Sequence, residues 1–176
     1  MAFLHKNIRL SAPNYKGHRW HFITICCENR LRSLVSHGLA VWIINELREH
    51  ASLNQFAIHA LCVMPDHVHA LVHGLTETSD LLVFVKKFKQ QTGYRFKRSR
   101  GRDLWQKKQK KFYDHILRST DSVDGVAAYI WMNPVRKGLC KEPREYPYSG
   151  SFTLDWPNIP FSREGWIPPW KGKAPA

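Results

Sequence analysis

The segment VMPDHVHALV (63–72) sets His67 and His69 two residues apart inside an apolar run. Side chains at i and i+2 of a strand share a face, so two imidazoles in an extended run project together and can grip one cation. Two ligands hold a metal weakly, and a third must come from elsewhere in the chain. The stretch VDGVAAYIWMNP (123–134) supplies a candidate. Tyr129 and Asn133 stand four residues apart, one above the other on a helix. Asn133 would complete a shell of two imidazoles and an amide oxygen, with positions left for water or phosphate oxygens, a set suited to Mg²⁺ or Mn²⁺. Tyr129 would then lie beside a metal-bound phosphate. A phenol with an ordinary pKa near about 10 is a poor nucleophile at neutral pH, and a cation that neutralises charge building on a phosphodiester offsets this. Attack would give a phosphotyrosine link that a free 3′ hydroxyl could later reverse without ATP.

Each of these residues also has a plainer reading. His59, His73 and His115 show that this chain uses histidine freely in strand-like segments, so the spacing of His67 and His69 is a weak signal by itself. Tyr129 alone reads as a half-buried helix tyrosine, and Asn133-Pro134 alone as a helix stop. Asp66 reads as a turn residue beside Pro65. Tyr113 is a second candidate nucleophile, but its position after KKF suits a stacking or core role better. A zinc hydrolase built on His67 and His69 would lack a third strong ligand and a general base.

The elements that must position these groups follow from the hydrophobic pattern. RWHFITICCE (19–28) reads as a strand, and GLAVWIINELREHA (38–51) carries Ala40, Ile43, Ile44, Leu47 and Ala51 on one helical stripe. FAIHALCVM and HVHALVHG are two strands joined by a tight turn at Pro65-Asp66. After them comes a helix capped by Ser79 or Asp80, with Leu81, Phe84, Val85 and Phe88 at helical spacing. KFYDHILR (111–118) is the fourth strand candidate. A last helix runs from the Ser/Thr/Asp cluster at 119–122 to a stop at Asn133, because the residue before proline avoids the α region. The order β-α-β-β-α-β-α predicts an α+β, ferredoxin-like antiparallel sheet with the histidine strand in a central position. Residues 1–140 form one domain on this reading. Residues 141–176, with seven of the ten prolines and Trp156, Trp166 and Trp170, form an irregular tail packed on it.

The chain of 176 residues carries a formal charge of +13, which points to a polyanionic partner, nucleic acid first. Residues 86–118 hold thirteen of the 27 Lys and Arg but only two of the 14 acids, so most of that excess lies in one segment. Lys86, Lys87, Lys89, Arg95, Lys97 and Arg98 fall within the second helix, and Arg100 and Arg102 at its end. Lys107, Lys108, Lys110 and Lys111 follow in the loop, and Arg118 closes the segment. Phe88, Tyr94, Phe96, Trp105, Phe112 and Tyr113 are threaded through it. Basic side chains hold phosphates and aromatic faces stack on unpaired bases, which makes this a candidate surface for single-stranded or hairpin nucleic acid. A solvated helix face followed by a basic loop is the bland alternative. For Trp105, stacking on a base and packing under the loop both remain open. Arg136 and Lys137 are phosphate contacts or solvated charges.

No apolar run is long enough to span a bilayer, and the opening MAFLHKNIRL reads as neither signal peptide nor anchor. Cys26, Cys27, Cys62 and Cys140 show no framework spacing, which suits reduced thiols in a cytoplasmic protein.

VMPDHVHALV resembles the paired-histidine motif of the single-tyrosine transposases, and AAYIWMNPVRKGL (127–139) resembles the Tyr-x-x-x-Asn-Pro-Val-Arg-x-Gly-Leu signature of their REP-associated branch. LWQKKQKKFYDHILR between them is similar to that branch's Trp-Gln…Phe-Tyr-Asp…Arg segment, and the likeness extends from about residue 15 to about 153. The resemblance implies Tyr129 as nucleophile, His67 and His69 as metal ligands, and Asn133 as a third ligand where insertion-sequence relatives carry glutamine. It implies nicking and rejoining of single-stranded DNA beside imperfect palindromic hairpins, with the 5′ end held covalently. It further implies a monomer, although the insertion-sequence relatives are dimers. A non-catalytic module of the same fold that binds hairpin DNA or RNA is the alternative.

Overall fold

The computed structural model describes residues 11–107, 112–160 and 166–168. The elements run β1 (Trp20–Cys26), α1 (His37–Leu53), β2 (Phe56–Met64), β3 (His67–Gly74), α2 (Leu81–Arg100), β4 (Tyr113–Ile116), α3 (Val123–Trp131), α4 (Asn133–Arg136) and β5 (Ser149–Gly150). All strand pairs are antiparallel, in the order β4-β1-β3-β2-β5. The first four strands and their helices are the expected ferredoxin-like α+β arrangement, and β3 takes the central position.

Local chemistry accounts for the boundaries that matter to the site. Pro65 and Asp66 make a two-residue link between β2 and β3, pairing Met64 with His67. The Asp80 carboxylate caps α2 by accepting from Leu82 N–H at 2.9 Å and Val83 N–H at 3.1 Å. Gly101, at φ +69°, ends that helix in the left-handed region, where glycine is favoured. Ser122 caps α3 by accepting from Gly125 N–H.

The two faces of the sheet differ. One is covered by α1 and α2 and forms the larger core, around Ile23, Ile25, Leu47, Val68, Phe84 and Phe88. The other is covered by α3 and by segments from the tail, around Phe22, Cys62, Leu71, Tyr129 and Trp131. Strand alternation assigns Val68, Ala70 and Val72 to the first face, and therefore His67 and His69 to the second.

Three expectations need correction. The last helix does not stop at Asn133: α3 ends at Trp131, Met132 stays in the right-handed helical region, and Asn133 begins the short turn α4. Pro134 lies in the first turn of α4, where its missing N–H has no helical partner to lose. The segment after 140 is not without regular structure, since Ser149–Gly150 add a fifth strand on β2 opposite Cys62 and Leu61. Its Tyr146 hydroxyl also donates to Val63 O at 2.9 Å. Finally, the threaded aromatics are mostly core: Phe88, Phe96, Trp105 and Phe112 are buried, and only Tyr94 and Tyr113 are exposed. Helical period explains the alternation, because Phe84, Phe88, Thr92 and Phe96 form the inward stripe of α2 while its lysines face out.

Candidate functional site

Register brings the chemistry together. On β1, Thr24 lies opposite His69 and Cys26 opposite His67, so all four side chains share the α3 face. The two imidazoles converge with His67 Nε2 and His69 Nε2 3.0 Å apart. Their other ring nitrogens have partners of their own. His67 Nδ1 lies 2.6 Å from the Asp66 carboxylate, whose second oxygen pairs with Arg30 Nε at 3.0 Å. His69 Nδ1 lies 2.7 Å from Thr24 Oγ1. In the tautomer that donates both Nδ1 protons outward, to Asp66 and Thr24, both Nε2 lone pairs aim at one point, an arrangement that a shared cation satisfies.

Burial lowers the pKa of His69 well below the usual imidazole range, with His67, Arg136 and Arg30 adding to the effect. It also lowers His67, against the opposing pull of Asp66. Both rings are therefore neutral at physiological pH, the state in which imidazole binds metal. Asp66 is thus more than the turn residue expected: its carboxylate orients a candidate ligand. Among the described residues no group of three or more His, Cys, Asp or Glu surrounds a common metal position. The donor set fits a cation that keeps open coordination sites, not a closed structural one.

Tyr129 and Asn133 reach this face from α3 and α4. The Tyr129 ring centre lies 6.4 Å from that of His69 and 6.0 Å from Phe22, and the residue is only 8% exposed. Asn133 is buried, and its Nδ2 donates to the Tyr129 carbonyl oxygen at 3.3 Å, the i, i+4 contact expected from their spacing. Trp166 packs edge-on against Tyr129, with ring centres 5.6 Å apart, and its indole N–H donates to Asp121 Oδ1 at 3.0 Å.

The basic segment frames a cleft between α2 and residues 103–107, of about 360 Å³. Lys86, Lys89, Lys97 and Lys107 line it, together with the exposed ring of Tyr94. The loop side of the cleft is tied to the end of β1 by Gln106 N–H donating to Cys26 O at 3.0 Å. Trp105 supports the cleft from beneath: it is buried, packs on Phe88 and donates its indole N–H to Thr92 at 2.8 Å. Of the two readings open for Trp105, this geometry is the one of packing under the loop. Lys87, Arg98, Arg100, Arg102 and Arg118 are exposed. Arg95 turns toward α1, where it pairs with the buried Glu46 at 2.5 Å. Lys108, Lys110, Lys111 and Trp170 lie outside the described residues. All four cysteines are free, and among the described residues no helix is long and apolar enough to cross a membrane.

Sequence reasoning missed Thr24 and Arg30. Both act across the sheet or a loop, through contacts that follow from register and carry no spacing signature. Asp66 adjoins His67 in the chain, and that adjacency was the available signal.

Comparison with known proteins places the chain in a family. Residues 14–132 match the family model described as transposase, IS200 like. A REP-associated tyrosine transposase of Escherichia coli (strain K12) is 28% identical over 153 residues, covering 80% of this chain and 86% of that protein. A Haemophilus influenzae protein assigned to the same group is 27% identical over 151 residues, covering 77% of this chain and 80% of that protein. A solved structure of a REP-associated tyrosine transposase bound to a REP hairpin shares the fold, with a TM-score of 0.64 at 23% identity over 82% of this chain and 81% of that one. With the family model spanning well over half its length, the chain belongs to the IS200-like transposase family.

Proposed function

We propose that the chain is a metal-dependent DNA strand transferase that nicks and rejoins single-stranded DNA beside imperfect palindromic hairpins. One observation carries this reading: two neutral imidazoles converge to 3.0 Å on the face where Tyr129 is held 6.4 Å from His69 between ring centres. The Tyr129 phenolic oxygen attacks the scissile phosphorus and forms an O–P bond. The bond from phosphorus to the 3′ oxygen breaks, that oxygen takes a proton from solvent and leaves as a 3′ hydroxyl, and the phenol proton goes to solvent. A 5′-phosphotyrosine link remains, and attack by a 3′ hydroxyl reverses the exchange.

His67 and His69 would hold Mg²⁺ or Mn²⁺, with Asn133 as third ligand, and the bound ion would supply Lewis acidity and charge neutralisation at the phosphate. Asp66 and Thr24 fix the ring orientations of the two histidines. Phosphates of the DNA run along the cleft lined by Lys86, Lys89, Lys97 and Lys107, and onto the exposed cations Lys87, Arg98, Arg100, Arg102 and Arg118. Tyr94 and Tyr113, exposed within the basic segment, stack on unpaired bases. The hairpin-bound relative supports a hairpin substrate. The histidines and Tyr129 meet within one chain, so a monomer carries the whole candidate site.

The test is to incubate the protein with Mg²⁺ and a labelled hairpin oligonucleotide carrying a single-stranded flank, then denature. A denaturant-resistant protein-DNA adduct forms with wild type and not with Tyr129→Phe. Tight binding with no adduct under any divalent metal would instead make the chain a binding module.

A further inference from the structure

The sequence leaves Arg136 as a phosphate contact or a solvated charge, and the fold gives it a different neighbour. The turn α4 folds the chain back on itself after Trp131. Arg136 N–H donates to Met132 O at 2.9 Å, and Gly138, at φ +65°, closes the turn. The side chain is thereby laid over a residue seven positions earlier. Its Cζ lies 4.2 Å from the centre of the Tyr129 ring, and its Nη2 donates to the Tyr129 carbonyl oxygen at 2.6 Å. Asn133 Nδ2 meets the same carbonyl oxygen at 3.3 Å, so two donors hold the main chain at the candidate nucleophile.

We infer that Arg136 is a positioning residue for Tyr129, clamping its backbone and placing a fixed positive charge against its ring. The inference rests on Tyr129 being the nucleophile. In the forward step the phenolic oxygen gives up its proton and develops negative charge before the bond to phosphorus is complete. In the reverse step the same oxygen departs as phenolate when a 3′ hydroxyl attacks. A guanidinium within cation-π distance of the ring stabilises the charged oxygen in both directions, and its planar fork allows it to hold the carbonyl at the same time. A plainer role is available, since a cation at the end of α3 also satisfies helix carbonyls. That role would stabilise the fold without altering the reaction at saturating DNA.

The test compares Arg136→Ala, Arg136→Gln and Arg136→Lys with wild type in three readouts. These are single-turnover adduct formation at saturating hairpin DNA, rejoining of the isolated adduct with a 3′ hydroxyl strand, and hairpin affinity across a salt series. Arg136→Ala is expected to slow both chemical steps by about 30-fold or more, the scale of losing one charged contact to a developing oxyanion. Hairpin affinity and its salt slope stay at wild-type values. Arg136→Gln keeps a donor for the carbonyl without the charge and remains slow, Arg136→Lys recovers part of the rate, and millimolar ethylguanidinium speeds Arg136→Ala while leaving wild type unchanged. Thermal unfolding of each variant shows which are folded, and Gln and Lys carry the test if Ala is not. Adduct formation at the wild-type rate in Arg136→Ala overturns the inference alone, as does a weakened hairpin affinity with a flatter salt slope and an unchanged saturating rate. A wild-type protein that binds the hairpin yet forms no adduct overturns the nucleophile reading, and this inference with it.

Discussion

The two faces of the sheet are built from the same strands and do opposite things. Toward α1 and α2, Phe84, Phe88, Ile43 and Leu47 close over Val68, Ala70 and Val72 in a mostly apolar core, with Glu46, His50 and Thr92 buried among them. Toward α3, the buried set includes Thr24, His67, His69, Tyr129 and Asn133. Alternation along β3 assigns its residues to one face or the other, so a shift of one residue in register would put both imidazoles into the hydrocarbon core. The comparison teaches that the first face fixes the register and the second exploits it. Polar groups that would weaken a core are tolerable on a face where each has a partner and a short helix brings Tyr129 alongside.

The first way to break this contrast is to remove a ring from the apolar face and a hydroxyl from the other. Phe88→Ala removes a fully buried ring beneath α2 and is expected to cost about 3–5 kcal/mol in chemical denaturation. Tyr129→Phe, which loses only a hydroxyl, is expected to cost about 1 kcal/mol or less. Comparable losses would mean that both faces serve stability alike.

His21 is an exception on the apolar face and sharpens the contrast. It is fully buried against Tyr15 and Phe56, and neither ring nitrogen has a hydrogen-bond partner among the described residues. Burial lowers its pKa to about 4, with Arg19 and His73 adding to the effect. The folded state therefore resists a proton that the unfolded chain accepts near pH 6.5. The stability is fully present above that value, declines as pH falls toward 4, and levels off below. Between pH 7 and pH 5 the loss from this group is about 2 kcal/mol. Denaturation of wild type beside His21→Phe at both pH values measures it, and an equal acid loss in the two proteins would assign the effect to other groups.

On the α3 face, Asp66→Ala removes the carboxylate that orients His67. Manganese affinity, read by calorimetry without DNA, is expected to fall by about 10- to 100-fold, the usual scale for losing such a partner. An unchanged affinity would show that His67 needs no orienting group. The smallest effect belongs to the cleft. Lys86→Ala is expected to weaken hairpin binding uniformly across sequences and to reduce the salt slope by about one, as the loss of one phosphate contact does. A change in sequence preference would instead make Lys86 a base-reading residue.

Much of this was legible in the chain. The strands on either side of Pro65-Asp66 have the bounds that alternation and turn chemistry predict, and Asp80 caps α2 as its position suggests. Other features were not, for physical reasons. Ser149 and Gly150 have no period of their own and become a strand only because the β2 edge offers them partners. The aromatics of the basic segment read as a stacking surface because composition does not reveal which side of a helix each one takes. Pro134 signals a boundary without saying that a new turn begins there, and that turn delivers Arg136 to Tyr129. Thr24 and Arg30 meet the histidines across strands and loops, where local sequence is silent.

The central claim is that the α3 face is a reaction centre with Tyr129 as its nucleophile. Protease digestion of the protein incubated with Mg²⁺ and a hairpin oligonucleotide, followed by mass spectrometry, tests it most directly. The account predicts a nucleotide 5′-phosphate attached to Tyr129 in the peptide that spans α3 and α4. Attachment at Tyr113 or any other residue, with the Tyr129 peptide unmodified, would contradict it.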